Sequence, residues 1–404
     1  MAEYDIPIKN DLRPAYYDDF HCLAAGCRWS CCKGWHITFD KKDYLSLRHL
    51  KGGAELGARM EGAIRRIRKN APSGHYAEFC LKEGLVCPLL REDGLCDLQI
   101  EQGVKALPFV CQSFPRCESL MNSGYFERSL TLGCEGVLGL LWELPDGVYF
   151  CSDPLPQKDC KTLHAAQAGE LEIHFQEIRS RCIDLLQNRR YPLPQRILLM
   201  GLALQALCEN PDIGRWLAFV EGMDGMEPPE LQKKQEDVLW MYLSNCTQTL
   251  LATTMPDPES IQLRSEVMDG LGMRLYADGG HAQLDRTLYL AARERYQQMF
   301  GDREYFMENV MVSLFFHTKM PRVNTTEELW KSYVSFCNLY SMYRFMAVMS
   351  CREGASAGKE ELFRSLVMVS RILLHNGARE TQVRDEFFQN NSATLAHMAV
   401  LLSH

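Results

Sequence analysis

Seventeen of the 404 residues are cysteine, and ten of these lie at or before residue 134. Four occur within eleven residues, in the pattern Cys22-x4-Cys27-x3-Cys31-Cys32. Thiolates this close together, in a segment too irregular for a helix, can surround one metal centre. Soft sulfur ligands select zinc, iron–sulfur clusters or copper(I). The spacing therefore predicts a metal-binding segment in the first third of the chain.

Four further cysteines are spaced by 9, 15 and 23 residues, which suits ligands from separate loops that converge on a site. Because Cys31 and Cys32 are adjacent, their side chains diverge, and we do not expect both to bind the same metal ion. One cluster with packed thiols, one cluster with a zinc ion, and two centres all remain open, whereas a single tetrahedral zinc needs only four sulfurs. The predicted metal ligands are Cys22, Cys27, Cys31, Cys32, Cys87, Cys96, Cys111 and Cys134.

Other uses of the cysteines are less consistent with the sequence. Residues 1–11 lack the apolar run of a secretory signal, and no stretch reaches 18 consecutive apolar residues, so we expect a cytoplasmic protein without membrane segments. Thiols stay reduced in the cytoplasm, and an odd number of cysteines does not suit a framework made only of disulfide bonds. The radical S-adenosylmethionine motif C-x3-C-x2-C and paired C-x2-C zinc knuckles are both absent. Five isolated cysteines are expected to pack as small apolar side chains: Cys182, Cys208, Cys246, Cys337 and Cys351.

The elements that must position these residues differ between two parts of the chain. Residues 1–155 are punctuated by Gly, Pro and Cys, and we predict three helices in an otherwise irregular lobe. The first begins after the N-cap Asp40 and carries an apolar stripe to Ile67, the second covers Leu98–Leu107, and the third follows Cys134 through Leu141.

From about Leu163 onward, apolar residues recur with helical periodicity, and no alternating strand pattern is visible. The predicted helices are Leu171–Gln187, Gln195–Cys208, Pro229–Thr254, Glu259–Tyr276, Leu284–Met299, Arg303–Phe315, Glu327–Met349, Glu360–His375 and Val383–Leu402. We therefore predict a mainly α protein: an irregular cysteine-rich metal-binding N-terminal lobe, residues 1–155, joined to an all-helical bundle, residues 156–404.

Distinctive motifs occupy Phe20–Asp40, Cys87–Leu90, Asp93–Gln99, Phe114–Arg116 and Glu127–Glu135. These segments resemble the flagellin lysine-N-methylases, whose N-terminal region carries a cysteine-rich metal-chelating motif, and weaker similarity extends to Glu308–Phe316, Tyr333–Arg344 and Arg371–Asn376. Two features depart from the family pattern. Gly133-Cys-Glu-Gly136 stands where Ser-Cys-Pro-Glu is usual, and the second cysteine that usually precedes the Phe/Tyr-Pro-Arg turn is missing.

The resemblance implies transfer of a methyl group from S-adenosylmethionine to lysine side chains of flagellin, with a [4Fe-4S] cluster in the cysteine-rich part. Such a transfer needs a neutral, aligned and desolvated amine. Within the matched segments, Glu127 and Glu135 are candidate catalytic acid/base or orienting groups. Arg116 is a candidate for the donor's carboxylate and Trp35 for an aromatic wall beside its sulfonium. Simpler structural roles are a core position for Trp35 and an ion pair for Arg116.

A conventional methyltransferase would present a strand followed by a glycine-rich turn. The only such string in the helical part, Asp269-Gly-Leu-Gly272, follows a predicted helix, so we expect a non-classical donor site.

With 44 basic and 52 acidic residues, the chain lacks the basic surface of a nucleic-acid-binding protein. Flagellin is the expected partner, and the absence of a heptad seam favours a monomer. A non-catalytic zinc- or iron-binding interaction module and a methylase of another protein or peptide remain the alternatives.

Overall fold

A computed structural model of the chain describes most of the 404 residues. The described ranges are 3–50, 53–68, 74–166, 169–223, 225–226, 237–244, 258–273, 284–356, 358–374 and 377–404. Within these ranges the protein is mainly helical, as predicted, with its strands in the N-terminal part. No helix among them is long and apolar enough to span a bilayer.

Nine short strands lie in the described part of the first 166 residues, which corrects the prediction of an irregular N-terminal lobe. They are β1 (Glu3–Ile8), β2 (Asn10–Pro14), β3 (Thr38–Phe39), β4 (Ile64–Arg66), β5 (Ala77–Phe79), β6 (Arg116–Leu120), β7 (Tyr125–Leu130), β8 (Phe150–Pro154) and β9 (Lys161–Ala166). Each has two to six residues, too few to give a clear alternating pattern, and most partners are distant in sequence.

The strands form three small sheets. The largest has the order β6-β7-β2-β8, in which β2 runs parallel to β7 and antiparallel to β8. A second sheet has the order β3-β5-β4, and β1 pairs antiparallel with β9. In the last ladder, Glu3 lies opposite Ala166 and Ile8 lies opposite Lys161.

The described α-helices in the N-terminal part are short. They are α1 (Lys41–Arg48), α2 (Ala54–Met60), α3 (Asp97–Gln102), α4 (Phe109–Ser113) and α5 (Glu135–Trp142). Asp40 caps α1 as predicted, since its side chain accepts from the Asp43 amide at 2.8 Å, and the helix after Cys134 is confirmed as α5.

The prediction of one helix reaching Ile67 was wrong. The segment is divided into α1, α2 and strand β4, with Gly53 as the N-cap of α2 and Gly62 at φ +75° after it. The predicted helix Leu98–Leu107 also ends early, because Gly103 adopts φ +78° immediately after α3.

The rest of the described chain is helical. Its α-helices are α6 (Glu170–Ile173), α7 (Phe175–Gln187), α8 (Leu193–Glu209), α9 (Ile213–Gly222), α10 (Pro258–Gly270), α11 (Arg286–Phe300), α12 (Glu304–His317), α13 (Thr326–Met349), α14 (Lys359–Leu374), α15 (Gly377–Gln389) and α16 (Leu395–Leu401). Of the predicted helix Pro229–Thr254, residues 237–244 are described and are helical, and the remainder lies outside the described residues. The string Asp269-Gly-Leu-Gly272 stands at the end of a helix, as predicted.

Helix α13 is the centre of the bundle and is buried along most of its length. It packs against α8, α11, α14, α15 and α16. Because it is surrounded by other helices, its apolar residues are not confined to one stripe.

The described residues form two hydrophobic cores. The buried members of the small one lie between Ile37 and Leu107 and include Cys87. A large one combines the helices with Tyr16, Phe20 and Trp29 and with buried residues from Leu130 to Val148. The lobe boundary at residue 155 stays a prediction, and strand β9 beyond it pairs with β1.

Candidate functional site

All eight cysteines predicted as metal ligands line one cavity of about 240 Å³. The cavity lies where the small core meets the large one, since Cys87 belongs to the former and Trp29 to the latter. Arg116 and Trp35, the residues predicted to bind the methyl donor, line the same cavity. The structure therefore brings together ten of the twelve predicted site residues.

One side of the cavity is the loop that carries Cys22, Cys27 and Cys31. This loop is held against the start of α5, because the Arg28 amide donates to the Glu135 carboxylate at 2.8 Å. Cys134 is the N-cap of α5 and its sulfur accepts from backbone amides in the first turn of that helix. These amide donors favour a negatively charged sulfur, but burial outweighs them and raises the pKa of the Cys134 thiol.

The other side is built on the small core, which Cys32, Cys87, Cys96 and Cys111 all contact. The Cys87 amide donates to the Cys32 carbonyl at 2.9 Å, and Cys96 forms an isolated β-bridge with Leu90. Cys111 lies in α4. Three separate segments of the chain, two of them loops and the third the short helix α4, thus converge here, as their spacing predicted.

The thiols differ in their acidity. Burial raises the pKa of Cys27 to about 12 and that of Cys87 to about 12. A hydrogen bond from the neighbouring Cys31 thiol outweighs burial at Cys32 and lowers its pKa to about 7. Metal binding must therefore displace protons from most of these sulfurs, so it becomes weaker as the pH falls.

The chemistry of the donor set suits a soft metal, because eight cysteines line one cavity. As they stand, no three His, Cys, Asp or Glu side chains of the described residues are arranged to hold a metal ion directly. Binding would require the thiols to turn toward one another. A metal centre here stays a prediction.

Arg116 and Trp35 are fixed by backbone carbonyls of the cysteine loop. An Arg116 Nη donates to the Phe20 carbonyl at 3.1 Å, and the guanidinium lies over the Phe20 ring with Cζ 5.1 Å from its centroid. The indole Nε1 of Trp35 donates to the Cys31 carbonyl at 2.7 Å. Both side chains therefore help to shape the cavity wall as well as facing it.

The two predicted catalytic carboxylates do not line the cavity. Glu127 is buried in strand β7, where Arg179 donates to both of its oxygens at 2.5 and 2.9 Å and Gln176 donates at 2.8 Å. Glu135 lies closer to the cavity than Glu127 does, because it follows Cys134 directly and its charge contributes to the raised pKa of Cys27. The structure thus separates Glu127 from the cysteines and keeps Glu135 beside them.

Sequence reasoning missed Arg371, which joins the helical bundle to the cavity. From α14, its buried guanidinium donates to the Gly133 carbonyl at 3.1 Å and to the Trp29 carbonyl at 2.6 Å. A signal was present, since Arg371 is a cation within an apolar helical run. An arginine is rarely buried in a protein core unless its guanidinium has a hydrogen-bonding partner there.

The cysteines expected to pack are placed accordingly. Cys182, Cys337 and Cys351 are buried in the large core, and Cys208 is partly buried against it. Cys246 lies outside the described residues.

A second cavity, of about 600 Å³, lies among α10, α11 and α14 and contains no cysteine. Its arginines are paired with carboxylates: Arg352 with Glu361 at 2.8 Å, and Arg364 with Glu266 at 2.8 Å. Charges already satisfied in this way leave the cysteine-lined cavity as the candidate site.

Comparison with known proteins gives consistent matches. Residues 179–401 match the model of the FliB lysine N-methylase C-terminal domain. Lysine-N-methylases of Salmonella choleraesuis (strain SC-B67) and Salmonella typhimurium are each 33% identical over 153 residues, which is 37% of this chain and 36% of the relative. The flagellar biosynthetic protein FliU of Salmonella muenchen is 35% identical over 139 residues, 33% of this chain and 78% of the relative.

The match thus spans about a third of the length of the two curated lysine-N-methylases. No solved structure matches the chain.

Proposed function

Because the chain belongs to the FliB lysine N-methylase family, we propose that it transfers methyl groups from S-adenosylmethionine to lysine side chains of flagellin. The observation that carries the proposal is the cavity that gathers eight thiols with Arg116 and Trp35. The flagellar name of one relative supports flagellin as the substrate.

The reaction sets clear requirements for the site. The lysine nitrogen attacks the methyl carbon of the sulfonium, the carbon–sulfur bond breaks, and a neutral thioether leaves. A lysine ammonium with an ordinary pKa near 10.4 must first lose a proton. A cavity lined largely by apolar atoms favours the neutral amine, because it solvates the charged ammonium poorly.

Arg116 and Trp35 are the groups that we assign to the methyl donor. The guanidinium suits the carboxylate of the donor's amino-acid portion, and the indole face suits its positive sulfonium. Their hydrogen bonds to the Phe20 and Cys31 carbonyls hold them in place before the donor binds.

Glu135 is the better placed of the two carboxylates for accepting or orienting the lysine proton. It lies beside Cys134 and Arg28, whereas both oxygens of Glu127 are held by Arg179. We therefore assign the acid/base or orienting role to Glu135 and a structural role to Glu127.

The thiols are the groups that would hold an iron–sulfur cluster, for which a [4Fe-4S] cluster is our proposal. When bound, such a cluster supplies electron transfer or a Lewis-acidic iron. The chain's own contribution is to supply the sulfurs, enclose the site and position Arg116.

The proposal is tested with anaerobically purified protein, flagellin and methyl-labelled S-adenosylmethionine, with the labelled residues identified by mass spectrometry. We expect label on flagellin lysines. Arg116→Ala should lower kcat/KM for the donor at least 10-fold, mainly through KM, because one charge-assisted contact is lost. Arg215→Ala is the matched control, since its side chain is 78% exposed on α9.

Absence of label from flagellin lysines would overturn the assigned substrate and reaction. Labelling that persists after complete removal of metal and sulfide would overturn a catalytic role for the cluster while leaving the methyltransferase assignment intact.

A further inference from the structure

The cysteine-lined cavity opens to solvent between two segments of the chain. A side chain that lines a cavity and is also exposed lies where the cavity opens. Five residues meet both conditions: Cys22 and Leu23 of the cysteine loop, and Gln99, Val104 and Gln112 from the segment between α3 and α4. None of the five is an Asp, Glu, Lys, Arg or His residue, so the mouth of the cavity is formed by uncharged side-chain types.

Contacts outside the mouth hold its two sides in place. A Cβ atom on Gly136 would lie 3.5 Å from Cγ of Leu23, so this leucine rests on the first turn of α5. On the other side, the Phe109 amide donates to the Asp43 carboxylate at 2.8 Å, which joins the start of α4 to the start of α1. Both sides are therefore positioned before a ligand binds.

Exposed apolar side chains extend outward from the mouth. Ile100, which is 50% exposed, follows a lining residue directly, and Phe109, which is 68% exposed, lies between two of them. The four exposed apolar residues at and beside the mouth, here called the rim, are Leu23, Ile100, Val104 and Phe109. Single exposed apolar residues are common on proteins, whereas a group of them beside a cavity is typical of a binding surface.

A protein acceptor of the methyl group must cover this rim. The amine of a lysine stands on a stem of four methylenes, so an amine that enters the cavity brings its backbone to within one side chain's length of the mouth. The residues on either side of that lysine then contact the rim. Apolar neighbours gain from burial there, whereas charged neighbours lose water at a mouth of uncharged side chains.

We propose that the rim is the docking surface for the methyl acceptor, and that it selects a protein segment in which the lysine lies between apolar residues. This inference rests on the proposed function, because it takes a lysine of another protein as the acceptor. It assigns recognition of that protein to Leu23, Ile100, Val104 and Phe109, outside the groups assigned to the methyl donor.

The first test compares the KM for flagellin with the KM for S-adenosylmethionine in the full chain. The double variant I100S/F109S removes two rim side chains that do not line the cavity. We expect its KM for flagellin to rise at least about 10-fold, with the KM for the donor within about twofold of the wild type. Ile173→Ser is the matched control, because Ile173 is 67% exposed on α6 and does not line the cavity, so both KM values should stay unchanged.

A second test locates flagellin directly and does not depend on methyl transfer. Photoreactive benzoylphenylalanine replaces Phe109, or Ile173 in the control protein, and the cross-linked peptides are identified by mass spectrometry. We expect capture of flagellin at position 109 and none at position 173. The captured segment should contain a lysine with apolar residues beside it.

An unchanged KM for flagellin in the folded double variant would overturn the inference and leave the proposed function standing. Capture at position 109 of a second copy of this chain, or of a flagellin segment with charged residues beside its lysine, would also overturn it. Absence of methyl transfer by the wild type would overturn the proposed function instead. In that case, or if the double variant failed to fold, the presence or absence of flagellin at position 109 would decide the inference.

Discussion

At the residue scale, Arg371 connects parts of the chain that are far apart in sequence. Its guanidinium is buried and donates to two carbonyls, that of Trp29 in the cysteine loop and that of Gly133 just before α5. A side chain of the helical bundle therefore helps to hold the cysteine loop against the start of α5, together with the bond from Arg28 to Glu135.

Arg371→Ala should lower the free energy of unfolding by about 2–4 kcal/mol, because two carbonyls lose a charged donor and a cavity is left. Denaturant unfolding measures the loss. Arg215→Ala, on the exposed face of α9, should change stability by less than about 0.5 kcal/mol. Equal unfolding midpoints for Arg371→Ala and the wild type would contradict this role.

Glu127→Ala should cost about 3–5 kcal/mol, because it leaves the buried Arg179 guanidinium without its carboxylate. If Glu127 is structural, the folded fraction of this variant will methylate at close to the wild-type rate. A folded variant with unchanged stability but more than 100-fold slower methyl transfer would instead make Glu127 catalytic.

Residue type and spacing were enough to predict that the eight cysteines come together, as they do around one cavity, whereas their binding of a metal stays a prediction. The same reasoning did not distinguish Glu127 from Glu135. A carboxylate's role depends on its partner, and Arg179 lies 52 residues from Glu127. Partners contributed by another element are not visible in local sequence.

At the element scale, a glycine of α8, Gly201, lies against a side chain of the central helix α13. A Cβ atom placed on Gly201 would lie 2.2 Å from Cζ of Tyr333, a side chain that is itself buried. The same Cβ atom would lie 2.8 Å from Cδ1 of Leu395 in helix α16. Only glycine allows this crossing.

Gly201→Ala should therefore destabilise the protein by about 1–3 kcal/mol, since Tyr333 is too tightly packed to move away without strain. Gly139→Ala is the matched control: it also lies within a helix, but a Cβ there would meet nothing within 4 Å. It should stabilise by about 0.5–1 kcal/mol. Thermal unfolding of both variants checks the opposite signs.

Helices and strands were predicted with unequal success for a physical reason. The bundle helices are long enough to show their period, and most were located within a few residues. The strands are two to six residues long, and β2 takes one partner from residues 125–130 and another from 150–154. Their hydrogen bonds come from the tertiary arrangement and leave little trace in local composition.

At the scale of the whole molecule, the bundle contains a buried histidine that couples stability to pH. His404 is hydrogen bonded to Tyr289 at 2.7 Å and to Ser341 at 2.9 Å. Burial, with the charges of Arg344 and Arg293, lowers its pKa from 6.5 to about 3. The folded protein therefore resists protonation at a site that the unfolded chain protonates readily.

Because the unfolded state binds the proton first, stability should decline as the pH falls from 6.5 toward 3. Between pH 7 and pH 5, this difference in protonation should lower the free energy of unfolding by about 2 kcal/mol. His404→Gln retains hydrogen-bonding groups but does not titrate in this range. The wild type's advantage in free energy of unfolding over the variant should therefore shrink or reverse at pH 5. A parallel pH dependence of the two unfolding midpoints would contradict this assignment.

The pairing of β2 with β8 fixes an order of events while the chain is being made. Arg13 and Cys151 are partners in that ladder, so the early strand leaves the ribosome roughly 140 residues before its neighbour, a wait on the order of 10 s. Arg371 emerges later still. The cysteine loop is thus the first part of the site to be synthesised and among the last to be enclosed, which leaves its thiols open to oxidants and to metal donors throughout translation.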